Sequence, residues 1–392
     1  MPWEFKKVEE KRKELINAYE AGASMTGLCK EFKISRNTAY KWYRRYLDEG
    51  SEDGLKDRSK APLKPATKFT EKQMQMAIDL KLQKPRRGPK KILAELKREC
   101  PTFKWPCPTR LYQLFKEYHL VKSRRLRRRV PATQPLGDVS QCNDVWMADF
   151  KGWFLTKDKT KCEPLTITDG YSRYLIECKH LSKKSVEYVW PVFKEAFEEY
   201  GLPNRIRTDN GPPFGCLGVG RLTKLSVNII KAGVIPEWIN PGHPEENGRH
   251  ERFHLTLKEA VANPPAQNIK EQLAIMKAFQ EEYNYDRPHE ALEMNSPGSY
   301  YVSSSRKWDG ILRSPEYDTA EILVRKVGQS GCIWLKQEEY FIGQVLTGEY
   351  VGLREDESGI KIYYGPVYLG ILRVGKGLER PKLTPKKVVR RG

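Results

Sequence analysis

In Val145-Trp146-Met147-Ala148-Asp149-Phe150 a single carboxylate interrupts an apolar run that reads as a β-strand. A lone buried aspartate is costly, so whatever sheet holds this run must supply Asp149 with a partner. A second acid stands in a related place: Arg207-Thr208-Asp209-Asn210-Gly211-Pro212 closes an apolar strand and puts Asp209 at the mouth of a turn. The third is Glu251, in a stretch where Phe253, Leu257 and Val261 recur at helical spacing while Glu251 and Lys258 share a different face. Two strands and a helix that each present a carboxylate can hold two divalent cations about 4 Å apart, the arrangement used for phosphoryl transfer on nucleic acid.

The pattern around these acids alternates. Strands are expected near 145–155, 163–169 and 173–179, a helix over 184–200, a strand at 204–208, a helix over 219–231, a strand at 235–239, and then the Glu251 helix. This order predicts a mixed α/β sheet covered by helices over residues 138–300, in which Asp149 and Asp209 can be neighbours. A further amphipathic helix is expected from Gln267 to Tyr285. Over 318–375 the composition turns to short runs of Ile, Val, Tyr, Trp and Leu separated by turn signals, which predicts a small β-barrel or sandwich.

A chain of 392 residues exceeds one ordinary core, and its formal charge of +20 is unevenly placed. Residues 1–130 carry 34 Lys and Arg against 16 Asp and Glu, and 373–391 carry 8 against 1, whereas the middle is slightly acidic. Basic ends suit a polyanion, and an acidic middle suits metal ions. Residues 1–60 read as a helix-turn-helix domain: Ser35 is placed to cap the last helix, Leu28, Phe32, Ile34, Ala39 and Trp42 form a small core, and Arg36, Asn37, Lys41 and Arg44 remain on the outer face. Residues 66–130 read as a second such unit, with Pro89 and Pro108 opening helices and Arg110 outside. It ends in a basic run that includes Arg124, Arg125, Arg127 and Arg128, suited to backbone phosphates, and a basic tail occupies 376–392. The eight cysteines form no CxxC pair, and no apolar run reaches the length of a membrane span or a signal-peptide core. The expectation is a cytoplasmic protein that is not membrane-bound.

Asp149 after Trp146, Thr208-Asp209-Asn210-Gly211-Pro212 and Asn247-Gly248-Arg249-His250-Glu251 with Leu257-Lys258 resemble the DDE signature of the retroviral integrase superfamily, and within it the integrase-like transposases of bacterial insertion sequences. Thr168-Asp169-Gly170-Tyr171-Ser172-Arg173-Tyr174, His243-Pro244-Glu245-Glu246 and Tyr283-Asn284 with Arg287-Pro288-His289 add to the likeness. The resemblance implies an RNase H-like core in which Asp149, Asp209 and Glu251 bind two Mg²⁺, with Mn²⁺ as substitute. Lys258 would lie near the scissile phosphate. One departure is the spacing: the family leaves about 35 residues between the second Asp and the Glu, which would select Glu245, but the Gly-x-x-Glu register and Leu257-Lys258 favour Glu251, with Cys216–Gly220 as an inserted loop. The implied architecture is multidomain: N-terminal all-α helix-turn-helix units, a central α/β RNase H-like mixed sheet and a C-terminal small β-barrel. The implied function is a transposase that binds the terminal inverted repeats of its element and joins their 3′ ends to target DNA, as a homo-oligomer in a synaptic complex. A transposase-derived DNA-binding regulator and a nuclease without strand joining are the alternatives.

Overall fold

The computed structural model describes residues 6–49, 52–57, 70–121, 139–240 and 248–381. They fall into two compact units, 1–70 and 71–392. The basic run at Arg124–Arg128, His243 to Asn247 with the alternative acid Glu245, and the end of the basic tail lie outside the described residues.

The first unit is helical, with α1 (Lys6–Glu20), α2 (Met25–Glu31) and α3 (Arg36–Glu49). Ser24 and Ser35 each accept a hydrogen bond from the backbone N–H three residues on, at 3.2 Å, which satisfies donors that the first turns of α2 and α3 leave open. Leu15, Ile16, Met25, Cys29, Ala39 and Leu55 form the core, against which Phe32, Ile34 and Trp42 pack. Arg36, Asn37, Lys41 and Arg44 are exposed on α3.

The second unit begins with α4 (Glu71–Gln83), α5 (Pro89–Glu99) and α6 (Pro108–Glu117). Pro89 and Pro108 do stand in the first turns, where a missing N–H costs nothing. Ile92, Leu96, Leu111, Leu114 and Phe115 are buried among these helices. Arg87, before α5, pairs with Glu95 with both side chains almost wholly buried, and also reaches Glu282 and Asp286 of the central region.

The central sheet contains β1 (Val145–Phe150), β4 (Pro164–Asp169), β5 (Leu175–His180), β6 (Arg205–Thr208) and β7 (Ile235–Trp238), in the order β5-β4-β1-β6-β7. A two-residue hairpin, β2 (Phe154–Leu155) with β3 (Lys161–Cys162), stands apart. The strand expected over 145–155 therefore ends early, because the backbone turns through positive φ at Gly152. β4 and β5 run antiparallel to their neighbours, while β6 and β7 run parallel to β1. This is the mixed, RNase H-like sheet implied by the resemblance.

Alternation assigns the two faces. Trp146, Ala148, Leu165, Ile167, Ile176 and Ile206 point into a core formed with α7 (Val186–Tyr200) and α8 (Lys224–Lys231). The opposite face meets α9 (Gly248–Val261) and α10 (Ile269–Glu281), where Phe253, Leu257 and Val261 pack with Leu175, Cys178 and Met276. The helix expected over 219–231 begins later than its periodicity suggests. Gly220 holds φ +54°, and the Thr223 hydroxyl with Ser226 forms a capping box that starts α8 at Lys224. Residues 282–286, expected within the helix to Tyr285, form a π-helical turn.

The C-terminal strands are β8 (Leu323–Lys326), β9 (Cys332–Leu335), β10 (Glu338–Phe341), β11 (Tyr350–Asp356), β12 (Gly359–Tyr364), β13 (Val367–Arg373) and β14 (Gly377–Glu379). They form a five-stranded antiparallel sheet, β14-β13-β12-β11-β8, and the hairpin β9-β10. Their core continues into Val219, Leu222, Val227 and Ile230 of the central region. Val219 and Gly220, at the end of the stretch expected to be an inserted loop, thus meet the C-terminal sheet. A Cβ on Gly220 would come within 2.7 Å of Leu369.

Candidate active site

β1 and β6 are parallel, with Met147 opposite Arg207. Continuing that register by two residues sets Asp209, the first residue after β6, beside Asp149 at the same end of the sheet. Period-two alternation turns both side chains to the α9 face, because Trp146, Ala148 and Ile206 occupy the other. The two acids brought together by sequence reasoning are therefore adjacent, and Asp149 pairs across β4 with Thr166.

The electrostatics of this corner are unfavourable. Burial, then the neighbouring Asp209 carboxylate, push Asp149 up from 3.8 to about 7, with a smaller contribution from Glu251. Burial also raises Asp209, against the pull of the Gly211 N–H, which donates to it at 3.2 Å, and of Lys184. Lys184 draws both acids toward ionisation, yet its ammonium is bonded to Glu163 at 2.9 Å and lies 4.8 Å from the centre of the Phe150 ring. Sequence reasoning missed it; nothing in a lysine ahead of a helix distinguishes it from a solvated one. Lys151 and Lys258 are also close, since burial and then Lys258 hold Lys151 below its ordinary value while Asp149 opposes them.

Glu251 is exposed in the first turn of α9, where a carboxylate also complements the helix dipole. Beneath it the helix is held by a buried polar network. The Thr166 hydroxyl lies 3.1 Å from the Asp149 carbonyl and 2.8 Å from Nε2 of both His250 and His254, and the Thr168 hydroxyl lies 3.1 Å from His250 Nδ1. One hydroxyl has one proton and two lone pairs. If Thr166 donates to the carbonyl, both imidazoles donate through Nε2 and the Thr168 hydroxyl donates to His250 Nδ1. Burial lowers His250 to about 3, and burial with His250 and Lys151 lowers His254 to about 2. Both rings are neutral, so the 3.9 Å approach of His254 to Asp149 is not an ion pair. Sequence reasoning declined to make these histidines metal ligands, and the structure engages them in holding α9 instead.

Other acids nearby are spoken for. Asp169 accepts from the Asn143, Tyr171 and Ser172 backbone N–H groups and from the Ser172 hydroxyl, and so fixes the turn 169–174. Asn210 ties the end of β6 to the Ile239 carbonyl at 2.7 Å and accepts from Arg221 at 2.9 Å, rather than bonding Asp209. Among the described residues no three acidic, imidazole or thiol groups lie close enough together to hold a metal ion as they stand. Asp149 and Asp209 nevertheless fit one as hard oxygen donors: they are crowded, like-charged and partly desolvated, a state that a divalent cation relieves. Of the remaining candidates, Arg110 is exposed on α6 with its guanidinium bonded to Glu117 at 3.2 Å, and Lys258 is exposed on α9.

Residues 139–244 and 232–297 match models of the integrase core domain, 11–62 a helix-turn-helix domain and 38–115 a homeodomain-like domain. The chain is 26% identical over 195 residues to a 31.7 kDa protein of insertion element IS407 from Burkholderia multivorans, covering 49% of this chain and 68% of that one. It is 27% identical over 195 residues to a 39.2 kDa protein of insertion element IS476 from Xanthomonas euvesicatoria, covering 49% and 54%. The match thus spans only about half the length of the second relative. Among solved structures, a simian T-cell lymphotropic virus intasome aligns over 78% of this chain and all of that one, at 13% identity and a TM-score of 0.37. The HTLV-2 integrase catalytic core in complex with magnesium aligns over 41% of this chain and 97% of that one, at 16% and 0.32. The chain carries an integrase core domain behind helix-turn-helix domains, and its likeness to the integrase-like transposases of insertion elements holds. Among the described residues no helix is long and apolar enough to cross a membrane.

Proposed function

We propose that the protein is a DNA transposase that binds the terminal inverted repeats of an insertion element, cleaves at their 3′ ends and joins them to target DNA. The observation that carries this reading is the pair Asp149 and Asp209, side by side at the ends of parallel strands and held near a helix bearing Glu251, with Asp149 driven to about 7 by burial and its neighbour. Two Mg²⁺ ions, or Mn²⁺, would supply charge stabilisation for in-line displacement at phosphorus. Asp149, Asp209 and Glu251 are the residues that would hold them. Asp149, near the end of the central strand of the sheet, would serve both ions, and Glu251 would turn inward from its exposed position. Lys151, Lys184 and Lys258 surround the acids with positive charge that can meet the phosphodiester.

Arg36, Asn37, Lys41 and Arg44 on α3, with Arg110 on α6, are the candidates for reading the element ends, and Arg124, Arg125, Arg127 and Arg128 for its backbone. The reading divides the chain into 1–60, 66–130, 138–300, 318–375 and the tail 376–392, with the fourth segment closing as a small barrel. Two ends must be processed together, so a homo-oligomer is the working form. The test is strand transfer from labelled element-end DNA into a plasmid, with Mg²⁺ or EDTA, for wild type, Asp149→Asn, Asp209→Asn and Glu251→Gln. Joined products that need metal and disappear in all three variants are expected. Duplex binding with no cleavage or joining would instead favour the regulator, a reading to which the open placement of Glu251 lends some support.

A further inference from the structure

A cleft of about 620 Å³ runs between the helical segment α4–α6 and the flank of α9. Five cationic side chains line it: Arg86, Lys90 and Lys91 at the start of α5, Arg252 on α9, and Arg287 after the π-helical turn. Two carboxylates, Glu259 and Glu290, are also present, so the lining carries a net charge of +3. Glu290 lies 3.5 Å from Lys90, and Arg287 leans on Glu282 at 3.6 Å. Lys91 and Arg252 make no ion pair among the described residues, and burial together with Arg287 and Arg87 lowers Lys91 to about 8. The cations have been gathered without enough acid to neutralise them.

The walls are fixed. On one side the Arg86 guanidinium bonds the Asn263 carbonyl beyond the end of α9. On the other, Arg87 and Lys84 join Glu95 to Glu282 and Asp286. A cluster held open by a buried ion network cannot relieve its repulsion by moving apart. Two helix starts also face the cleft, Gly88-Pro89 of α5 and Pro108-Thr109 of α6, and neither N-cap residue caps its helix with a side chain. Pro89 and Pro108 carry no N–H, and the Lys91 and Arg110 N–H groups bond the Gly88 and Cys107 carbonyls, so these starts add only the positive ends of their helix dipoles to the pull on an anion. On α9 the cleft is floored by Arg252, Thr256 and Glu259, one residue round the helix from Glu251.

Building on the transposase reading, we propose that this cleft seats the phosphate backbone of the DNA duplex entering the candidate active site, with consecutive phosphates held between Arg252 on one wall and Lys91 with Arg86 on the other. The helical segment 71–121 then acts as a backbone clamp for the catalytic region, besides any part in reading sequence. Phosphate contacts of this kind set register without specifying bases.

The experiment is a salt titration of duplex binding by the full chain, followed by fluorescence anisotropy of a labelled duplex of arbitrary sequence in EDTA, so that chemistry plays no part. Each lost phosphate contact lowers the slope of log affinity against log salt by about 0.9. Lys91→Gln with Arg252→Gln should therefore flatten the slope by about 1.8, making the loss of affinity between about 50 and 200 mM salt roughly 12-fold smaller than in wild type. Arg252→Lys, which keeps the charge on the exposed wall, should restore its share. Single Arg252→Gln removes only a surface charge and serves if the double variant does not fold. An unchanged slope in folded variants of a protein that binds duplex overturns the clamp and leaves the transposase reading standing. A wild type that binds no duplex overturns both.

Discussion

Removing the charge of Asp149 should make the metal-free protein more stable. The unfolded chain holds this carboxyl near 3.8 and the folded chain near 7, a rise caused first by burial and then by Asp209. Between those values the folded state binds more protons than the unfolded state, so stability falls as pH rises. Below 3.8 the group is neutral in both states and costs nothing. Above 7 it is ionised in both, and the penalty is complete, on the order of 4 kcal/mol at 1.36 kcal/mol per unit. Asp149→Asn keeps the shape and cannot ionise. In urea denaturation with EDTA at pH 8, the variant should exceed wild type by a few kcal/mol, and the gap should shrink by about 1.4 kcal/mol per unit below pH 7. Comparison with wild type is essential. His250 and His254 are held neutral in the fold, so each lowers stability as pH falls below about 6.5, and these contributions cancel in the difference. Mg²⁺ should stabilise wild type and leave the variant nearly unmoved. A variant less stable than wild type at pH 8, or a gap that does not change with pH, would refute the electrostatic account of the site.

The buried Arg87–Glu95 pair gives a second test: Glu95→Ala leaves the Arg87 guanidinium buried beside only the half-exposed Glu282 and Asp286, and should cost about 3–5 kcal/mol of stability in urea. Arg87→Met combined with Glu95→Leu should recover most of that loss, and failure to recover it would show that the pair is not the source. At the site, Thr166→Val removes the oxygen shared by two imidazoles and should cost about 1–3 kcal/mol per orphaned donor. If the network sets the rotation of α9, the same variant should raise the Mg²⁺ concentration needed for joining, whereas Thr166→Ser should behave nearly as wild type. An unaltered metal requirement in Thr166→Val would confine the network to stability.

What sequence could read here was decided by period. Alternation in β1 puts Asp149 on the face opposite Trp146 and Ala148, and the helical spacing of Phe253, Leu257 and Val261 puts Glu251 outward; both assignments follow from geometry that repeats within a few residues. The neighbours of Asp149 were legible only as a possibility, because periodicity names a face without naming the strand beside it. The parallel register of β1 with β6 supplies that. Contacts that join distant segments left no local trace. Arg87 meets Asp286 across 199 residues, Gly220 meets Leu369, and Lys184 faces two acids from the start of a helix.

The histidines were the least legible of all, and the reason is instructive about the site itself. Apolar contacts at Phe253 and Leu257 hold α9 against the sheet, but such contacts are weakly directional and leave its rotation loosely set. A residue whose carboxylate must reach two acids on the sheet needs that rotation defined. His250 and His254 stand one turn apart on the same face and converge on one hydroxyl of β4, itself bonded to the backbone of Asp149. A pair of hydrogen bonds from one helix to one point on a strand fixes the angle that packing leaves free. Polar residues in an otherwise apolar helix face are therefore the feature that couples Glu251 to Asp149, and on this argument they belong to the candidate site as positioning residues.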